Sequence, residues 1–131
     1  MKLIHKIYGT GQPLIIMHGL FGSGDNWRSI ARMMEPHYQS IVVDMRNHGR
    51  SPHDPEMNFQ VMADDILELM TDLKLEKVSL LGHSMGGKVA MQFSFLHPDL
   101  VEKLIVVDIA PKYYPPHHDV VIEAIESIDP K

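Results

Sequence analysis

The sequence predicts an α/β fold, a mostly parallel sheet with helices on both faces. Three observations lead there. Near-continuous apolar runs at residues 13–17, 40–44, 78–82 and 103–109 read as strands buried on both sides rather than half-exposed ones. Segments with apolar residues at three- and four-residue steps separate them and read as crossover helices. Glycine-punctuated polar loops follow the runs, where strand ends give way to helices.

Taken in order, residues 3–8 alternate weakly and precede Gly9-Thr10-Gly11-Gln12, which suggests an antiparallel edge strand, a turn, and the first buried strand. That strand opens into His18-Gly19-Leu20-Phe21-Gly22-Ser23-Gly24. Asp25 is placed to cap a helix over residues 26–34, on which Trp27, Ile30, Ala31 and Met34 share a face. The next strand ends at Asp44 and continues into Met45-Arg46-Asn47-His48-Gly49-Arg50-Ser51. Asn58 then caps a long helix with Phe59, Met62, Ile66, Met70 and Leu73 on one face. Asp64, Asp65 and Glu68 fall on the opposite, solvated side, and no histidine joins them to suggest a metal site. A helix over residues 85–96 stops at His97-Pro98, where His97 suits the helix dipole. Residues 103–109 form the last buried strand. The texture then changes to Pro111, Tyr113, Tyr114, Pro115, Pro116, His117 and His118, a stiff aromatic connector. A final helix is expected over residues 119–128, with Val120, Val121, Ala124, Ile125 and Ile128 apolar.

Composition bounds the function. With 131 residues, 44% hydrophobic and 22% charged, the chain fits one domain with a substantial core. A formal charge of −5 without Lys/Arg clusters disfavours nucleic acid. There is no cysteine, hence no disulfide or thiolate metal site. The N-terminal residues lack a signal-peptide pattern, and no apolar run approaches the ~20 residues that span a bilayer. The expectation is a cytoplasmic protein with no membrane partner.

The chemistry concentrates in KVSLLGHSMGG, residues 77–87. A strand breaks at Gly82, turns through His83-Ser84-Met85 and re-enters a helix at Gly86-Gly87. A serine that must stand clear of the backbone needs a turn so sharp that its second neighbours on either side nearly touch, and Gly82 and Gly86 remove the side chains that would collide there. The helix that follows offers unpaired N–H groups to a developing oxyanion. A glycine-rich turn capped by serine is the bland alternative; the flanking strand and apolar helix favour the nucleophile elbow.

Four landmarks now stand in order: residues 18–22, residues 44–51, the Gly82–Gly87 turn, and Val107-Asp108-Ile109-Ala110-Pro111. Together they resemble the α/β-hydrolase fold, most nearly its small bacterial YbfF-type esterases and the related ABHD-class hydrolases. The resemblance implies a serine hydrolase of carboxylic esters working through an acyl-enzyme. It makes Ser84 the nucleophile and the Met85 N–H one oxyanion donor. Leu20, with Phe21 as its neighbour, supplies the other. His18 is expected to organise its loop rather than move protons, and Arg46 and Gly49 to tie their loop to the elbow region. Asp108 fits the subset of relatives whose acid ends this strand; a carboxylate capping the next turn is the other reading.

In this fold the catalytic histidine follows the last strand, which the resemblance places beyond residue 131. His97 lies about 13 residues along a helix from Ser84, hence ~20 Å away, while His117 and His118 are expected to open a lid. The expectation is therefore the nucleophile-bearing part of an esterase: residues 1–112 belong to the hydrolase core, residues 113–131 begin a cap or lid, and the C-terminal strands and catalytic histidine are missing. It is expected to be inactive until a complementary C-terminal segment supplies the base. The last strand's edge is left to that segment or to self-association. A small-molecule ester is the substrate, with no cofactor and no metal. The alternative is a non-catalytic binding or scaffold module on the same fold. A Rossmann domain is excluded, because Gly19, Gly22 and Gly24 lack G-x-G-x-x-G spacing.

Overall fold

The computed structural model describes residues 1–107 and the backbone of residues 122–125. Six strands form one sheet: β1 (His5–Tyr8), β2 (Gln12–Met17), β3 (Tyr38–Val43), β4 (Val78–His83), β5 (Val101–Val107) and β6 (Ile122–Ile125), in the order β1-β3-β2-β4-β5-β6. The four central strands are parallel, and the outer two, β1 on β3 and β6 on β5, are antiparallel. Between them run α1 (Arg28–Met33), α2 (Phe59–Asp72) and α3 (Met85–Leu96).

Central strand β2 shows why the apolar runs sit where they do. Leu14, Ile15, Ile16 and Met17 have no exposed surface, and burying each such side chain contributes roughly 1.5–3 kcal/mol. Successive side chains point to opposite faces. Ile15 and Met17 pack with Ile41, Val43 and Leu80 against Met62, Ile66 and Met70 of α2 and Val89 and Phe93 of α3. Leu14 and Ile16 join Val42, Leu81 and Val107 on the other face, where α1 contributes Ala31. The two faces are thus covered unequally, one by two long helices and the other by a short one.

Several local expectations need correction. Ser23, not Asp25, caps the segment after β2: its hydroxyl accepts from the Asp25 N–H at 3.3 Å, and the Asn26 side chain accepts from the Ser23 N–H at 3.0 Å. This capping box opens a 3-10 turn over Gly24–Trp27 before α1 begins, and Asp25 instead pairs with Arg28 at 3.0 Å. Of the face expected on α1, Ala31 is buried and Ile30 is exposed. On α2, Asn58 does cap, accepting from the Val61 N–H at 2.8 Å. Asp65 is not on the wet side: it is 1% exposed and takes a two-pronged contact from Arg46, Nε to Oδ2 at 2.7 Å and Nη2 to Oδ1 at 2.8 Å. Arg46 therefore ties the loop after β3 to α2 rather than to the elbow. Phe59, expected on the buried face, is exposed.

The helix expected over residues 119–128 gives way to β6, a strand whose Ile122–Ile125 backbone pairs with Leu104–Val107 of β5. An open strand edge presents a row of unpaired N–H and C=O groups, and the β-branched run Val120-Val121-Ile122 has the propensity to meet it. The edge left open in the sequence reading is taken along this stretch by the chain itself.

Candidate active site

Three strand ends meet at the carboxyl edge of the parallel sheet, where ligand sites of open α/β sheets form. The sharpest is the turn from β4 into α3. Ser84 has φ 55° and ψ −115°, a region that L-residues other than glycine rarely enter and that stores ~1–3 kcal/mol of strain. The turn closes because two side chains are absent. A Cβ on Gly82 would run into the Gly86 carbonyl, and a Cβ on Gly86 would run into the Met17 carbonyl of β2. The second contact binds the elbow to the neighbouring strand as well as to itself. Ser84 stands half-buried at the head of α3, and its side chain caps no backbone N–H. Its hydroxyl is thereby left out of the helix-capping role that a serine at this position ordinarily takes.

The loop after β2 abuts this turn. A Cβ placed on Gly19 would stand 3.1 Å from Ser84 Cβ and 2.9 Å from His83 Nδ1. Side chains hold this loop in place. The buried His18 ring accepts from the Met45 N–H through Nε2 at 2.9 Å, so Nδ1 carries the proton and donates to the Gly19 carbonyl at 2.7 Å. With both nitrogens committed to backbone, His18 organises the loop and is not available as a base. Burial pushes its pKa below the ordinary value, against the opposing pull of the Gly19 carbonyl. The imidazole stays neutral at pH 7.

Asp44, at the end of β3, is the residue whose role the sequence reading missed. One carboxylate oxygen accepts from the Gly24 N–H at 2.6 Å and the other from the Arg50 N–H at 3.0 Å. Its carbonyl accepts from the Ser51 hydroxyl at 2.6 Å, and Ser51 in turn accepts from the Ile4 N–H at 2.9 Å. A single carboxylate thus joins the loops after β2 and β3. Its place at the carboxyl end of a parallel strand was the available signal; its partners, distant in sequence, were not.

Leu20, Ser84 and Met85 line one open cavity of about 580 Å³, together with Met57, Phe59 and Met62 from the entry to α2, and Lys88. Phe21, at φ 64° and 88% exposed, lies outside that lining. A second hollow of about 280 Å³ lies on the far side of Leu20, between Trp27, Ile30 and His83; the Trp27 and His83 rings are 5.9 Å apart. His97 closes α3 and rests on Phe93, with ring centroids 4.9 Å apart. Asp108, His117 and His118 lie outside the described residues. Among the described residues, no group of three His, Cys, Asp or Glu side chains is disposed to hold a metal, and no helix is long and apolar enough to cross a membrane. The Ser84 hydroxyl is thus free of capping, at a helix start, and lines this mostly apolar cavity.

Known proteins resemble this chain in sequence, and one of them in structure. Esterase YbfF of Escherichia coli is 43% identical over 120 residues, 91% of this chain and 47% of that one. The sn-1-specific diacylglycerol lipase ABHD11 of Danio rerio is 44% identical over 111 residues, 83% of this chain and 35% of that one. Among solved structures, a marine microorganism esterase superposes with a TM-score of 0.82 at 52% identity, covering 87% of this chain and 44% of that one. The chain spans less than half the length of each of these proteins. The family profile described as alpha/beta hydrolase fold matches residues 12–130, and the chain belongs to that family.

Proposed function

We propose that these residues carry the nucleophile half of a serine hydrolase acting on carboxylic esters. Ser84 Oγ attacks the acyl carbon, and the N–H groups of Met85 and Leu20 receive the oxyanion, with Phe21 shaping the Leu20 turn. The alcohol departs with a proton from the catalytic base, and water then releases the acid. Asp108 is the acid of the triad, and its base is a histidine supplied from outside residues 1–131. In this reading residues 1–112 form the core and 113–131 lead toward a lid, save that Ile122–Ile125 pair with β5. The setting is cytoplasmic. The observation that carries the reading is the strained Ser84 at the head of α3, lining one cavity with Leu20 and Met85. Similarity to esterases supports the substrate class.

A fluorophosphonate that labels active serines tests it, read by intact mass and peptide mapping. The expected result is slow labelling at Ser84 that a complementary C-terminal segment accelerates, and none in Ser84→Ala. Labelling elsewhere, or none with the segment present, would overturn the assignment. A second reading, a binding module on the same fold, draws on one observation: His18 commits both ring nitrogens to the backbone. That reading gains if ester analogues bind and Ser84 never reacts.

A further inference from the structure

The cavity beside Ser84 has an uneven chemistry. Leu20, Met57, Phe59, Met62 and Met85 make its wall apolar, and the oxygen of Asn58, which also lines it, is already taken by the Val61 N–H at 2.8 Å. Among the described residues, no carboxylate lines it. Lys88 is the one charged side chain among the described residues of the lining. It sits one helical turn after Ser84, with its N–H donating to the Ser84 carbonyl at 3.1 Å, so its Cα is ~6 Å further along α3.

Two other lysines meet carboxylates, Lys2 with Glu68 and Asp72 at 3.1 and 2.9 Å and Lys77 with Glu102 at 3.9 Å, while Lys6, Lys74 and Lys103 form no ion pair among the described residues; what sets Lys88 apart is its place in the cavity lining. The Lys88 ammonium has no such partner among the described residues. In a chain of net charge −5, a cation unpaired beside a candidate nucleophile and bordered by apolar wall is disposed to meet a charge carried in by the ligand. Lys88 is exposed, so such a contact has the modest strength of a surface ion pair.

We propose that Lys88 is a specificity-determining residue that selects substrates bearing a carboxylate a few bonds from the scissile carbonyl, as in the hemiester of a short dicarboxylic acid. The ester carbonyl sits at Ser84, the connecting methylenes lie along Met62 and Met85, and the carboxylate meets the ammonium. This rests on the reading of Ser84 above and deepens it by naming a substrate class.

Binding tests it without turnover. Adipamic acid carries the carboxylate on the acyl side of an unreactive amide, N-acetyl-4-aminobutyrate carries it on the leaving-group side, and hexanamide is the uncharged control. Their dissociation constants are read from the Met85 and Lys88 amide resonances of the 131-residue chain, and of the chain with its complementary segment. At least one of the charged ligands should bind about fivefold tighter than hexanamide, the scale of a partly exposed ion pair. The preference should shrink in 0.5 M NaCl, vanish in Lys88→Met and persist in Lys88→Arg, with thermal melting showing that both variants fold. Which charged ligand shows the preference assigns the side of the scissile bond. Equal affinity for charged and uncharged ligands, or a preference that survives Lys88→Met, overturns the proposal. Fluorophosphonate labelling is a separate measurement, so failure of the nucleophile assignment and failure of the Lys88 assignment are distinguishable.

Discussion

The two loops that face each other across the site are held by different physics. The elbow between β4 and α3 is fixed by what is absent: without side chains at Gly82 and Gly86, backbone packs on backbone and Ser84 is driven into a strained conformation. The loop between β2 and α1 is fixed by what is present. His18, Asp44, Ser23 and Asn26 each hold a backbone group. Steric closure depends on no protonation state, whereas a loop held by an imidazole and a carboxylate does. A site built from one of each has a rigid member and a member that chemistry can loosen.

The largest effect should come from breaking the steric side. Gly82→Ala places a methyl group into the Gly86 carbonyl, backbone that cannot step aside, and should destabilise by ~3 kcal/mol or more in urea unfolding. A loss under 1 kcal/mol would mean that the elbow can relax. On the hydrogen-bonded side, Asp44→Ala leaves the Gly24 and Arg50 N–H groups without their acceptor and should cost about 2 kcal/mol. Amide exchange at Gly24 should quicken while that at Gly86 does not; equal acceleration at both would erase the distinction.

Acid should act on the same side. Because the folded pKa of His18 lies below the ordinary 6.5, the unfolded chain takes up the proton first. His18's contribution is therefore complete above about pH 6.5 and erodes as pH falls toward the folded value. Urea midpoints from pH 7.5 to 5 should fall more steeply for the wild type than for His18→Gln, and parallel curves would refute the assignment. The smallest effect runs the other way. Ser84→Gly relieves a positive φ and should stabilise by about 1 kcal/mol. A destabilised variant would show that the serine conformation carries no strain.

The same contrast explains what could be read from sequence. The elbow was legible because steric closure is written locally, as two glycines around a serine between an apolar strand and an apolar helix. The buried strands and α3 were legible for similar reasons, since periodicity and uninterrupted apolar runs are local. Long-range hydrogen bonds are not. A helical projection puts Asp65, three residues after Met62 and four before Leu69, at the border of the buried face of α2, but a lone carboxylate there reads as solvated until Arg46 arrives from the loop after β3 to pair with it. Asp44 likewise looked like the end of a strand, and its tie to Gly24 exists only once β2 and β3 lie side by side. Asp25 was a sound local cap that lost to Ser23, two residues earlier, because Asn26 completed the reciprocal pair. The segment around Ile122–Ile125 has the apolar spacing of a helix, and a strand edge at β5 supplies the competing partner.

Strand order carries one more consequence, for the newly made chain. β2 buries Leu14 to Met17 completely, yet its two neighbours, β3 and β4, both come later in the sequence. On a ribosome, which delivers the amino end first, Leu14–Met17 emerges with neither flank paired and acquires its second flank only when Val78–His83 has been made. Through that interval a sticky four-residue segment is exposed to every other nascent chain. A holding chaperone that recognises short apolar strands would find its target there, and the yield of folded protein would track how fast translation carries the chain from β2 to β4.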